Sequence, residues 1–546
     1  MKKIASVVLA LAFLAAGCSK SATTGDSGSE GRINSFTIPH VLRYTTAEDI
    51  SSLNPLLSSQ GTLSLMSSLT MAWLIKWDLK NSPIPELATE VPTMANGGVS
   101  KDGLTITYHL RKGAKWSDGV PFNADDVVFS IHAVLNPANN VTSRSGWDRI
   151  KTIDEPDKYT VVLHLSKPYS PFVETFFSSA GANPSLLPKH LLAQYPNLNH
   201  VAYNALPVGI GPFKYKAWER GSRVVMVANP SYFRGLPKLK EVDFEIITDR
   251  NTVLTQLQAK AIDMWYPVPG NYLQRVQALP EYAVLRHPSF YFNHLDFNIS
   301  RPAMSDVNVR RALRYATDRQ TILTKVDHGV GILQDEPAPK SAAYYDPKIA
   351  LVPFDIAKAN QILDQAGWQR GPDGVRAKNG VRLSLDLATS TGSPDTDEII
   401  ELLRGWWKQV GVQISVHHYV ASMLFAPYAD GGIVYNGKWD VILFAWGLDP
   451  IGDLSNLYAC DQIPPLGQND LHWCNPKANT AMHALYAHYD QPQRNADDAT
   501  VMEELDTDVP MIVENGREDV FVVNKDLKNF DFNAASQFDD FMNVDI

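Results

Sequence analysis

Residues 104–137 read LTITYHLRKGAKWSDGVPFNADDVVFSIHAVLNP, and the fold turns on how they are read. The first part alternates. Leu104, Ile106, Tyr108 and Leu110 point one way with polar residues between most of them, the period of a half-buried strand. The last part carries helix signals. Asn123 can cap, and Asp125 and Asp126 sit in the first turn, where negative charge suits the helix dipole. Val127, Val128, Ile131 and Leu135 share one apolar face, and Asn136-Pro137 stops the helix. Between them RKGAKWSDGVPF forms a tight turn with Trp116 as an apolar plug. By periodicity alone this is an ordinary strand-turn-helix.

The literal order K-W-S-D-G-x-P-F-x-A-x-D-V-x-F-S at 115–130 says more. It resembles the signature of the extracytoplasmic solute-binding proteins of peptide/nickel-type ABC transporters (solute-binding protein family 5). Four further segments are similar to that family, so the likeness runs from about Arg43 almost to the C-terminus. They begin WLIKWDLK at 73, GIGPFKYK at 209, FNISRPAM at 297 and FDIAKANQ at 354. In the third, Val309, Ala312, Leu313 and Ala316 lie on one helical face and Asp318 can cap a second helix. In the fourth, Asp355 caps and Gly367 ends the helix. Alternation returns in RLSLDLAT, and an apolar strand in WDVILFAW.

Strands and helices mix throughout, as in α/β architectures. The resemblance implies a two-lobed periplasmic-binding-protein-like fold (type II, cluster C) with an extra subdomain inserted in the first lobe. The expected divisions are 37–53, 208–288 and 506–546 for lobe I, 54–207 for the extra subdomain and 289–505 for lobe II. Pro207-Val208 and the region 293–298 are the expected crossings.

The chain has 546 residues, too many for one ordinary core. It is 45% hydrophobic and 20% charged, the composition of a globular protein. A net charge of −10 argues against nucleic acid as a partner and leaves no basic patch for anionic lipid. Lys2, Lys3 and the short apolar run 4–16 form a leader, too short for the roughly 20 residues of a spanning helix. It ends Leu14-Ala15-Ala16-Gly17-Cys18, which resembles a lipobox with Cys18 as the lipidated residue. Leu stands one place further from the Cys than is usual, and a plain secretory signal is the other reading. Residues 19–36 are expected as a flexible tether, Ser/Thr/Gly-rich up to about Gly31. The protein is thus expected to be exported, membrane-anchored through lipid only, in the periplasm or on the outer face of the cell membrane.

With Cys18 assigned to lipid, Cys460 and Cys474 remain in an oxidising compartment, as a disulfide or as two buried thiols. Some dipeptide-binding members have a similar Cys…Trp-Cys loop, and Trp473-Cys474 matches it.

A binding protein needs a cleft rather than a reacting group, and no enzyme activity is expected. In peptide-binding members a Trp-x-x-Asp pattern after the apolar strand supplies a carboxylate for the peptide's α-ammonium. Trp446 and Asp449 match it, with Asp453 as the rival carboxylate, and a core Trp beside a plain Asp449-Pro450 turn as the bland alternative. Dipeptide binders place an Arg in the loop after the strand matching 383–387. Here that loop reads ATSTGSPDTD, without Arg, and Arg404 lies further on in a helix. Longer peptides bound in strand fashion fit better than a clamped dipeptide.

Other motifs fail. Gly432 to Lys438 spells G-x-x-x-x-G-K, but Trp439 replaces the Ser or Thr that would hold Mg²⁺. No G-x-S-x-G, H-E-x-x-H or C-x-x-C occurs. His417-His418 are strand neighbours pointing to opposite faces. No cofactor or metal is expected. The function expected is delivery of peptides, oligopeptides in the first place, to the permease and ATPase of an ABC importer by a monomer. A short oligosaccharide, a metal or haem ligand, and more remotely an exported hydrolase, are the alternatives.

Overall fold

The computed structural model describes residues 33–46, 50–58, 60–141, 143–180, 184–426, 428–532, 534–535, 538 and 541–546. The leader, Cys18 and the tether as far as residue 32 lie outside the described residues. From Ile33 the chain is held. The Ile33 and Asn34 amides donate to the Asp526 carboxylate at 2.5 and 2.9 Å, as does the Thr37 hydroxyl at 2.6 Å. The Asn34 side chain donates to Asn524 at 2.7 Å. Residues 33–36, expected as the end of the tether, are therefore fastened to the body, because one buried carboxylate collects three donors.

The signature folds as strand Thr105–His109 and helix Ala124–Leu135. Asn123 and Asp126 form a reciprocal capping box. Asp126 is 4% exposed and does more than cap. It accepts from the Asn123 amide at 3.2 Å, the Trp116 indole at 3.3 Å and the Lys189 amide at 3.0 Å. One carboxylate thus joins the turn, the helix start and a distant segment, while Trp116 fills the space beneath at 1% exposure. The Ser117 amide donates to the Gly209 carbonyl at 2.8 Å. Gly209 must be glycine, since a Cβ there would meet the Thr70 carbonyl at 2.0 Å.

A ten-stranded sheet runs through both lobes. Its order is Gln413–Tyr419, Ser384–Ser390, Val441–Gly447, Tyr282–Phe297, Met511–Asn524, Met264–Trp265, Val41–Thr46, Glu241–Ile246, Arg223–Ala228, Phe213–Glu219. The two long central strands are antiparallel and serve both ends. Tyr282 to Pro288 pairs with Glu518 to Asn524, next to Met264–Trp265. Phe292 to Asp296 pairs with Met511 to Gly516, next to Val441–Gly447. Register breaks between Pro288 and Phe292, and again between Asn293 and His294. Such irregularities bend strands, and here they fall between the stretch beside Met264–Trp265 and the stretch beside Val441–Gly447.

The cores follow this division. One cluster, from Leu42 to Ile546, packs the first-lobe strands around Tyr44, Phe244 and Phe521. A second fills the other lobe around Leu313, Trp407 and Leu443. The inserted unit has its own core from Leu56 to Ile210. A further cluster joins Trp77 and Ala180 of the inserted unit to Phe292, Tyr344, Ile451 and Trp473. Among the described residues no helix is long and apolar enough to cross a membrane.

Candidate functional site

Strand Val441–Gly447 delivers its chain to the loop 448–453. Asp449 closes that loop on itself. Its Oδ1 accepts from the Gly452 amide at 2.7 Å and the Asp453 amide at 3.1 Å. Gly452 sits at φ +79°, a conformation that suits glycine. The Asp449 carbonyl accepts from the Tyr344 hydroxyl at 2.7 Å. Asp449 is thus a turn residue, but its carboxyl also meets a second carboxyl. Glu174, on the short helix Phe172–Thr175 of the inserted unit, lies close enough for the two charges to oppose each other.

Two more acids complete the group. Asp453 Oδ1 accepts from the Ser455 amide at 3.1 Å and the Ser455 hydroxyl at 2.5 Å. That hydroxyl lies 2.5 Å from the Tyr486 hydroxyl. Asp498 and Arg494 come from helix Gln491–Asp508 at 1% and 5% exposure. Arg494 donates to the Ile451 carbonyl at 2.7 Å. Asp498 Oδ2 and Arg494 Nε have no hydrogen-bond partner.

Crowding of acids sets the electrostatics. Burial pushes the Asp449 carboxyl up to about 7, and the Asp453 charge adds to this. The Asp453 and Gly452 amides and Arg494 oppose it. Asp449 keeps some exposed surface while protein surrounds its carboxyl. Glu174 stands well above the ordinary glutamate range through burial first, then the Asp449 charge. Asp498 stands well above its ordinary value through burial, against the pull of Arg494.

Trp446 lies two residues before the loop, half-buried. Its ring meets Phe444 edge-on at 5.5 Å, and Phe444 meets Phe425 at 5.6 Å. This gives an aromatic row of Trp446, Phe444 and Phe425, with Phe425 39% exposed.

The inserted unit and the second lobe are joined around this site. Ser170 donates to the Tyr486 carbonyl at 2.9 Å and, through its hydroxyl, to the Leu485 carbonyl at 2.7 Å. The Arg149 guanidinium lies 4.5 Å from the Tyr486 ring centre and 4.8 Å from that of Tyr169. Cys460 and Cys474 are bonded, with Cα atoms 4.7 Å apart, closing the loop that follows the site.

Arg404 is occupied elsewhere, donating to Glu401 at 3.3 Å and to the Ile414 carbonyl at 3.2 Å. His417 and His418 take separate partners, Asp386 at 3.1 Å and Asp397 at 2.8 Å. Trp439 is buried and its indole donates to the Val434 carbonyl. Among the described residues no group of three or more His, Cys, Asp or Glu is placed to hold a metal ion. Asp449 and Asp453 therefore come together, while Trp446 has its ring against Phe444. Glu174, Asp498, Arg494, Tyr344 and Tyr486 join them unannounced, since no spacing in the chain links them to residue 449.

Comparison with known proteins agrees with this architecture. The model of bacterial extracellular solute-binding proteins, family 5 Middle, matches residues 82–463. The oligopeptide-binding protein AppA of Bacillus subtilis is 26% identical over 463 residues, 84% of this chain and 82% of that one. The solved structure of AppA from Bacillus subtilis in complex with a nonapeptide matches with a TM-score of 0.75 at 23% identity, covering 92% of this chain and 98% of that one. NikZ from Campylobacter jejuni in complex with Ni(L-His) matches with a TM-score of 0.75 at 26% identity, covering 92% and 98%. The signature turn, the two lobes sharing one sheet and a family match over most of the length place this chain among the bacterial extracellular solute-binding proteins of family 5.

Proposed function

We propose that this protein is the peptide-binding component of an ABC importer, taking oligopeptides into the interlobe cleft and delivering them to the permease. The observation that carries the reading is the acidic loop 449–453, reached by a strand whose Phe444 and Trp446 form an aromatic row with Phe425. A carboxylate at this position suits a primary ammonium, and aromatic faces suit side chains of varied shape. The likeness to AppA, solved with a nonapeptide, supports a ligand longer than a dipeptide. So does the loop 388–397, where Asp395 and Asp397 stand and no Arg is present.

On this reading the lobes are 37–53, 208–288 and 506–546 against 289–505, with 54–207 as the inserted subdomain. The bends at Pro288–His294 are the hinge. The ligand shifts the open–closed balance by its differential affinity for the closed form. The protein binds and releases its ligand unchanged. It is exported, held at the membrane by lipid on Cys18, and works as a monomer with permease and ATPase subunits.

A thermal-shift screen of a peptide pool against an oligosaccharide panel tests the ligand class. Stabilisation by peptides is expected, and stabilisation by sugars alone refutes the reading. Mass spectrometry of the ligand after long incubation should return it intact; cleaved product would make the protein a hydrolase.

A further inference from the structure

We propose that Glu514 and Asp327 form a subsite for a basic side chain of the bound peptide, arginine above all, on the wall where the two lobes join. The proposal rests on the peptide reading and adds which peptides are preferred.

The wall is built from the crossing strands. Asn293 pairs with Asn515 and His294 with Val513, so Glu514 is the extra residue of a bulge and has no residue opposite. A bulge re-aims the side chain it carries. Asp327 follows the segment Ile322–Val326, which packs against helix Pro394–Gln409 in the second-lobe core. The Asp327 carbonyl lies against Gly270 of the first lobe, where a Cβ would collide with it. Further along, the Gly329 carbonyl accepts from Arg286 at 2.6 Å. Asp327 thus stands between the lobes as divided above.

One amide ties the two acids together. Asn515 Nδ2 donates to Asp327 Oδ2 at 2.7 Å and to Glu514 Oε1 at 3.3 Å, which uses both of its hydrogens. Asn515 Oδ1 accepts from Asn293 Nδ2 at 3.2 Å. The other Glu514 oxygen, Oε2, has no hydrogen-bond partner, although the residue is only 1% exposed. A buried acceptor left bare is costly, and a donor that reaches it recovers that cost. Asp327 keeps part of its surface in solvent.

The surrounding charges make the missing donor a cation. Asp395 stands in the first turn of helix Pro394–Gln409, and its negative charge is felt at Asp327. The neighbouring arginines are engaged, Arg286 with Glu518 and Gly329, and Arg517 over the Tyr291 ring at 6.0 Å. Without ligand, burial pushes the Glu514 carboxyl up to about 8. An entering guanidinium lets that carboxyl ionise, and its proton passes to solvent. Among the described residues no group of three or more His, Cys, Asp or Glu is placed to hold a metal ion. A planar guanidinium presents a fork of N–H donors that can serve both carboxylates at once.

The test is calorimetry with pentaalanine and with its single-arginine and single-citrulline forms, each position in turn. Citrulline keeps the size and shape of arginine without the charge. One arginine form should bind wild type about ten- to hundredfold tighter than pentaalanine does, and its citrulline form should not. The gain should vanish in Glu514→Gln and shrink in Asp327→Asn, with pentaalanine binding unchanged in both. Each amide can still accept from Asn515, and thermal unfolding checks that both variants fold. Arginine forms that bind no better than pentaalanine, or a gain that survives in both variants, would overturn the proposal and leave the peptide reading standing. If wild type binds none of these peptides, both fall. A rise in melting temperature with calcium chloride that Glu514→Gln abolishes would give the place to a metal ion and overturn the proposal as well.

Discussion

Replacing Asp449 by Asn removes a charge and leaves a hydrogen-bond acceptor. The Asn carbonyl oxygen can still take the Gly452 and Asp453 amides that Oδ1 now holds at 2.7 and 3.1 Å. Asp449→Ala would leave both donors bare, costing about 1–3 kcal/mol of stability for each, and so confuse folding with binding. Asp449→Asn therefore isolates the electrostatic part. Truncating one partner of a buried charge pair costs roughly 2–5 kcal/mol. Glu174 remains in the site and still offers a carboxylate, so the lower part of that range applies, about 2–3 kcal/mol. This corresponds to a loss of about 30- to 150-fold in affinity. Isothermal calorimetry with a free-amine oligopeptide measures it, and thermal unfolding of the variant checks the fold. Asp449→Asn with wild-type affinity, or an N-acetylated peptide binding as tightly as the free amine, would refute the reasoning. The double variant Glu174→Gln/Asp449→Asn should lose more than either single variant. The two should be non-additive, since each residue neighbours the other.

The pH dependence follows from buried acids. Glu336 and Glu514 are pushed up to about 8 by burial, and Asp449 to about 7. Their folded values lie above the unfolded ones, so the native state holds protons that the unfolded chain has released. The stability is full below about pH 4 for these groups and is lost as pH rises through 7 and 8. Thermal unfolding should therefore show a falling midpoint from about pH 5 to 8, flatter in Glu514→Gln; a rising midpoint in wild type would contradict it. Trp116→Ala should cost about 3–5 kcal/mol in denaturant unfolding, since the ring is 1% exposed and its indole donates to Asp126. A loss below about 1 kcal/mol would show that the plug does not hold the turn. Removing the Cys460–Cys474 bond by double Ser substitution should lower stability by about 3 kcal/mol, for a loop with a sequence separation of 14. A matching loss on adding reductant to wild type, but not to the variant, assigns the effect to the bond.

Much of the fold was legible because the deciding features are local. Asn123 and Asp126 do form the cap, Asp355 caps its helix by accepting from the Lys358 amide at 2.8 Å, and Asp318 begins a helix of only three residues before the turn loosens. Each depends on residues within one turn of each other. The candidate site was legible in part. Trp446, Asp449 and Asp453 stand on one short segment, and strand-end chemistry points to them. The plain-turn reading of Asp449 holds for its Oδ1, which accepts the Gly452 and Asp453 amides. The long crossing strands were not foreseen as single strands, since a bulged strand breaks the alternation that marks it.

By itself the order of residues determined which segments form strands and helices, where they stop, and which loop carries the acids, because periodicity, capping and turn chemistry act over a few residues. Only the tertiary structure decided that Glu174 comes near Asp449, that Asp498 lies beside Gly452, and that one sheet serves both lobes. Those contacts join residues far apart in the chain. They exist because apolar faces on the inserted unit and the second lobe exclude water together, bringing along charges that their own local sequence does not pair.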